Sequence, residues 1–314
     1  MESSLAVRMP FDVRHLFGFL LARAIPGVEA GDAQSENPWY ARTLSLQHGP
    51  GAFKSTWEQG RLNVDFECES PQDLPEATLK IRRLFDLDAD PVAVNAALGR
   101  QECFRETVAL HSGIRVPGTV DASEIVVRAI VGQQISVAAA RTHLTRLTQA
   151  VGRPITSRFP LTHLFPTPAQ IADLLADLPT DASGLDSDRP LRLPLRALRT
   201  LRDTTAALAA GSLVVSGDPC DLISTLVARP GIGPWTASYI ALRVLNHPDM
   251  WLPGDVGLIH GAHALGLLDP DLPRAAQHAR LEETSASWAP WRSYAVMHLW
   301  HAAASARMRN SNEE

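Results

Sequence analysis

Five residues in this chain have types and spacing that could do chemistry. Gly231, Gly233, Pro234 and Trp235 lie in "RPGIGPWTASYIALR", and Asp255 follows about twenty residues later in "LPGDVGLIHGA". Glycine is favoured where φ must be positive or where a ligand must come close to the backbone, and Pro234 suits an early helical position, where its missing N–H costs nothing. The amides that open the next helix would carry the positive end of its dipole, so the turn is shaped for an anion, and a DNA phosphate is the obvious one. Asp255 follows a Pro-Gly bend and precedes a new apolar helical pattern. An aspartate there is also what caps a helix N-terminus, but cap and catalyst are compatible roles. Close to a DNA-binding hairpin, the carboxylate would face the sugar of a nucleotide drawn out of the duplex.

The elements that must position these residues are two helices. "DLISTLVARPGIGPWTASYIALRVL" reads as an apolar helix, a Pro-Gly-Ile-Gly hairpin and a second helix, the spacing of a helix-hairpin-helix. Around it the chain has two textures. Up to about residue 92, strand-like runs ("YARTLSL", "RLNVDFEC") alternate with turn signals ("QHGPG", "WEQG"), flanked by helical patterns around "FDVRHLFGFLLARA" and "PEATLKIRRLFDL", which predicts an α+β domain. From "DPVAVNAAL" onward the spacing is helical. "DASEIVVRAIVGQQISVAAARTHLTRLTQAVG", for example, is helically patterned from a cap at Asp121 or Ser123 to a stop at Gly152. Residues 179–190 are a polar surface loop.

Composition sets limits. With 314 residues, 45% hydrophobic and 20% charged, the chain can hold two or three domains with real cores. No stretch approaches the roughly 18 apolar residues of a membrane span, and the N-terminus lacks the order of a secretory signal, so a cytosolic protein is expected. Cys68, Cys103 and Cys220 are too few and too scattered for a disulfide framework, a four-thiolate metal site or an iron–sulfur cluster; they are expected as small buried hydrophobes. The net charge of −5 argues mildly against a nucleic-acid partner. Locally, however, residues 189–243 carry seven arginines against three aspartates; taken alone, such a run reads as a solvated helix face. Lys54 and Lys80 are the only lysines, so no amine beyond residue 80 can form a Schiff base. His260 with His263, and His298 with His301, have a spacing that could hold a metal, but no third ligand is apparent, and no P-loop, dinucleotide fingerprint or nucleophile elbow occurs.

Hairpin, tryptophan and aspartate together resemble the helix-hairpin-helix DNA glycosylase superfamily, and within it the AlkA-like bacterial 3-methyladenine-DNA glycosylase II family. "FGFLLARAIPGVE", "YARTLSL", "RLFDLDADP", "NAALG", "RAIVGQQISVAAA" and "WAPWRSYAVMHLW" extend the resemblance over nearly the whole chain. It implies a TATA-binding-protein-like α+β domain at residues 1–92 and an all-helical body of two subdomains with a cleft between them: residues 120–255 with the hairpin, and 93–119 with 256–314.

Carried over by position, the resemblance makes Asp255 the essential carboxylate and places Trp235, Tyr239 and Trp300 around the flipped base. For each aromatic alone, core packing is the competing reading. It gives phosphate contacts to the turn Arg229–Gly231–Ile232–Gly233, and a monovalent cation to the backbone carbonyls of Val227, Arg229 and Gly231. Gln134 stands where the family wedge, often a leucine, fills the gap left by the base, and Arg229 replaces an apolar residue. In bifunctional relatives a lysine occupies the position of Trp235, so this chain is expected to be monofunctional. The expected activity is release of alkylated purines from duplex DNA by a monomeric, cofactor-free enzyme of the bacterial cytoplasm and nucleoid. Such bases are already cationic leaving groups, so one carboxylate could suffice to stabilise the oxocarbenium-like sugar. The competing expectations are a non-catalytic lesion-binding protein and a glycosylase for oxidised or deaminated bases.

Overall fold

The computed structural model describes residues 1–313, with side chains through Arg309. Strands β1 (Glu2–Leu5), β2 (Glu29–Asp32), β3 (Trp39–Leu46), β4 (Gly49–Glu58) and β5 (Arg61–Cys68) form an antiparallel sheet in the order β1-β5-β4-β3-β2. The glycines of "QHGPG" lie inside β4 and leave only Gln47 and His48 for the turn before it. Helices α1 (Val13–Ala22) and α2 (Leu74–Leu84) cover one face. Val13, Leu16, Phe17 and Leu20 recur at helical spacing on α1 and are buried, as are Leu62, Val64 and Phe66 at alternate positions of β5. Apolar residues of each period therefore meet in one core.

The remainder is helical: α3 (Pro91–Leu98), α4 (Arg105–Leu110), α5 (Ala122–Val131), α6 (Val137–Val151), α7 (Pro168–Leu174), α8 (Leu195–Ala209), α9 (Pro219–Val227), α10 (Pro234–Leu245), α11 (Val256–Ala264), α12 (Arg274–Ser285) and α13 (Arg292–Glu313). The whole is α+β, with a second, larger core among these helices. No helix among the described residues is long and apolar enough to cross a membrane.

Three expectations are corrected. The pattern from Asp121 to Gly152 is two helices, not one. Asp121, rather than Ser123, caps α5 by accepting from the Glu124 amide, and the chain breaks at Gln134, whose φ of 58° no helix tolerates. Ser136 then caps α6 through the Ala139 amide. The cysteines are not buried: Cys68 and Cys103 are half-buried and Cys220 is exposed in the first turn of α9. Arg243, counted in a solvated basic run, is buried, because its guanidinium donates to the carbonyls of Pro117 and Gly118.

A feature without a periodic signal is the segment from 153 to 165. It leaves the helical body and lies across the outer face of the sheet, where Leu161 packs on Ala41 and Ala52. The amides of Thr162 and His163 donate to the Gly27 carbonyl, and Ser157 donates to Glu67 at 2.6 Å. A buried ion network makes a second join. Arg42 of β3 reaches Glu124 of α5 at 2.8 Å, and Arg128 of α5 reaches Glu29 of β2 at 2.5 Å. Tyr40 also donates to Glu29, and although burial alone would raise the Glu29 pKa, Arg128 and Arg42 bring it down to about 2.

Candidate active site

Helix α9 ends at Val227, the turn Ala228–Gly233 reverses the chain, and Pro234 occupies the first position of α10. Gly231 has a φ of 88°, and a Cβ there would lie 2.0 Å from the Thr200 hydroxyl, so its glycine has a sufficient cause inside the protein. Gly233 differs. Its φ is −89°, it is exposed, nothing lies near a Cβ built on it, and no side chain caps the α10 amides. Glycine is among the residues favoured at a helix N-cap, and here it also leaves the α10 amides open to approach from outside.

Ile232, expected among the outward contacts, is instead 4% exposed in the core, and its amide donates back to the Arg229 carbonyl. Burial of this one apolar residue pins the turn. Arg229 is half-buried as a residue, and its guanidinium makes an exposed hydrogen bond to the Asp203 carbonyl at 3.3 Å. Gln133, in the loop between α5 and α6, donates to the Gly231 carbonyl at 3.0 Å and the Thr236 hydroxyl at 3.1 Å. Its exposed neighbour Gln134, in a left-handed conformation, is thereby tied to the hairpin. A carbonyl has two lone pairs, so those of Arg229 and Gly231 each keep one, which fits an oxygen-seeking monovalent cation.

Asp255 is the N-cap of α11 and is 7% exposed. Its Oδ1 accepts from the Leu258 amide at 2.8 Å and from the Trp300 indole at 3.2 Å, and its Oδ2 accepts from the Trp235 indole at 2.6 Å. An ionised carboxylate has about four lone-pair sites, so one, on Oδ2, stays available to the cleft. Gly257 permits the arrangement, because a Cβ there would stand 3.0 Å from Oδ1 and 3.1 Å from the Trp300 ring.

These groups line a cleft of about 380 Å³ between the end of α1, the α5–α6 loop, α10 and α13. Trp235 stacks on Tyr239 with ring centres 5.4 Å apart, Tyr239 lies 6.4 Å from Trp300, and Phe19 of α1 stacks on the far side at 6.0 Å from Trp300. Burial would raise the Tyr239 pKa, but Arg243, donating to its hydroxyl at 2.8 Å, and Arg23 outweigh that and bring it below the usual phenol value. Burial pulls the Arg23 pKa down. The structure thus brings Trp235, Tyr239, Asp255 and Trp300 together. It adds Phe19, Arg23, Arg243 and Gly257, which sequence reasoning missed because each follows from a tertiary approach rather than a spacing. A larger recess of about 690 Å³ beside His111 and His301 contains none of the predicted site residues. Among the described residues no three His, Cys, Asp or Glu side chains are grouped to hold a metal.

The architecture is that of the helix-hairpin-helix glycosylases. A solved 3-methyladenine DNA-glycosylase from Archaeoglobus fulgidus, 15% identical, superposes over 96% of this chain and 98% of its own with a TM-score of 0.76. Residues 2–121 match the model of the AlkA N-terminal domain, a stretch ending at the cap of α5. The chain is 33% identical to DNA-3-methyladenine glycosylase 2 of Escherichia coli (strain K12), over 93% of this chain and 94% of that one. It is 40% identical over 300 residues to a Mycobacterium tuberculosis protein named "Probable bifunctional transcriptional activator/DNA repair enzyme AlkA", covering 94% of this chain but 56% of the relative, so it spans little more than half that protein's length. The chain belongs to the AlkA family of DNA-3-methyladenine glycosylases.

Proposed function

We propose that this protein is a monofunctional DNA glycosylase that takes alkylated purines out of duplex DNA, hydrolyses the N-glycosidic bond and leaves the strand intact. The observation that carries this reading is the Asp255 carboxylate, fixed by two indole N–H groups and one amide in a cleft walled by aromatic rings. The uncapped start of α10 and the open Gly233 receive a backbone phosphate. Gln134, projecting from the adjoining loop, fills the space the base leaves and offers its amide to the orphaned partner base. A monovalent cation on the carbonyls of Val227, Arg229 and Gly231 would supply positive charge at the same phosphate.

Positive charge develops on the sugar as the bond to the base breaks. A carboxylate already oriented beneath C1′ stabilises it without reorganisation, and the free lone pair on Oδ2 can orient the attacking water. An alkylated purine leaves as a neutral base, so no general acid is needed. Trp235 stands in the lysine position of bifunctional relatives and carries no nucleophile, which supports hydrolysis without strand cleavage. DNA as the partner, a monomeric state and action in the cytoplasm on the nucleoid belong to this same reading.

The test is base release from methylated duplex DNA by the purified protein and by Asp255→Asn. Release by the wild type and its loss in the variant are expected. A wild type that frees no base, or a variant that frees it equally fast, sinks the reading.

A further inference from the structure

A cluster of positive charge stands on the wall of the cleft that the hairpin does not supply. On α13, Trp300, Ala303, Ala304 and Arg307 line the cleft at helical spacing. Trp300 is half-buried and Arg307, two turns on, is exposed, so the row leads from the aromatic pocket out to the mouth. Helix α11 is held close against α13 at Gly261, where a Cβ would lie 2.0 Å from the Leu299 carbonyl oxygen. The residue before it, His260, is exposed. Partial burial and then Arg307, His263 and Arg274 push its pKa below the usual imidazole value, and Asp255 works against them. Arg274, at the start of α12, is exposed as well. Three helices thus bring cationic side chains to one lip. Glu29 and Glu124, the other carboxylates of the lining, are occupied by Arg42 and Arg128.

A nucleotide leaves the stack only if its backbone bends, and bending costs energy that protein contacts must repay. A hairpin that grips one phosphate holds one end of that bend. A cation on the opposite lip that takes a second phosphate opposes the return of the base. Arginine suits that task, because its planar fork pairs with phosphate oxygens.

We propose that Arg307, with His260 and Arg274 beside it, is a second phosphate grip, taking the DNA backbone on the side of the extruded nucleotide away from the hairpin, so that the strand is held from both walls of the cleft. This rests on the glycosylase reading above.

Binding to a duplex that carries a stable abasic analogue requires no base release and tests the grip alone. Arg307→Ala is expected to weaken it by roughly fivefold and to reduce the slope of log affinity against log salt by about 1. Arg309, two residues on, lines the recess on the other side of α13. Arg309→Ala removes the same charge from the same helix and should leave binding as it is. Replacing single phosphates beside the analogue by uncharged methylphosphonate then locates the contact. The penalty of Arg307→Ala should vanish at one position and that of Gly233→Ala at another. Equal binding by wild type and Arg307→Ala, an equal loss in Arg309→Ala, or both grips mapping to one phosphate overturns the proposal. A wild type that frees methylated bases with a DNA affinity indifferent to Arg307 leaves the glycosylase reading standing; one that neither binds the duplex nor frees a base overturns both.

Discussion

The Trp235 indole, in the first turn of α10, donates to Asp255 Oδ2 at 2.6 Å, so the helix whose first amides no side chain caps also holds the carboxylate that lines the cleft. The open hairpin turn and the buried carboxylate are thus joined by one helix.

Asparagine caps helices about as well as aspartate, so Asp255→Asn should cost no more than about 1 kcal/mol of stability. Its amide would turn donors toward indole donors and remove the charge, and base release should fall by about a hundredfold or more. Trp235→Phe leaves the charge but frees Oδ2, and release should slow by about tenfold. Single-turnover rates beside thermal melts separate the effects. Equal losses of rate and stability in Asp255→Asn would point to a purely structural aspartate.

The two hairpin glycines should separate in the same way. Gly231→Ala meets a positive φ and the Thr200 side chain, and unfolding should become easier by about 2 kcal/mol. Gly233→Ala has room, so stability should change by less than about 1 kcal/mol while affinity for duplex DNA drops by several-fold. Denaturant titrations and DNA binding at fixed salt check the pair; undiminished binding by Gly233→Ala would remove the phosphate from this turn.

Borohydride should not trap the protein on DNA, and incubation with lesion DNA should not nick the strand. Lys54 lies over Trp39 on the sheet and Lys80 donates to the Val120 carbonyl, both outside the cleft lining. A trapped adduct would require a nucleophile other than the ε-amines.

The helix-hairpin-helix and the aspartate before a helix were legible because each depends on local chemistry, glycine and proline at a turn and an acid before an apolar helical pattern, whereas the pocket aromatics Trp235, Tyr239 and Trp300 came from the family resemblance alone. Arg243 was misread as a surface charge because nothing near it in sequence reveals the carbonyls of Pro117 and Gly118 that bury it. The break at Gln134 was hidden because "GQQIS" is polar enough for either a loop or an exposed helical turn, and Ser136 reads equally well as an interior residue. Phe19 and Arg23 reach the site from another domain, which no periodicity reports.

Stability should fall on mild acidification. Burial, with repulsion from neighbouring imidazoles, holds His298 at about 3 and His15 and His301 at about 4. The unfolded chain, with imidazoles near 6.5, takes up protons first, so folding is weakened as pH drops from about 6.5 to about 4, by up to about 1.4 kcal/mol per pH unit for each of the enclosed His15 and His298 and by less for the partly exposed His301. Asp86 acts in the opposite sense: burial lifts its pKa to about 6, so the folded state gains a proton first below that value and offsets one histidine. His301→Gln should therefore flatten the loss of stability between about pH 6.5 and pH 5. Denaturation midpoints across that window decide, and an unaltered slope would acquit the cluster.

Two joins described above bear on how the chain can be taken apart. A cut near residue 92 would send Glu29 and Arg42 away with the sheet while Glu124 and Arg128 stayed behind; each piece would keep one ion pair, Glu29 with Arg42 and Glu124 with Arg128, but the two that join the pieces would be lost. It would also peel the segment 153–165 from Ala41 and Ala52. Shuffling this sheet with one from a relative would thus require exchanging α5 and that segment along with it, so the unit of modular exchange is discontinuous in sequence.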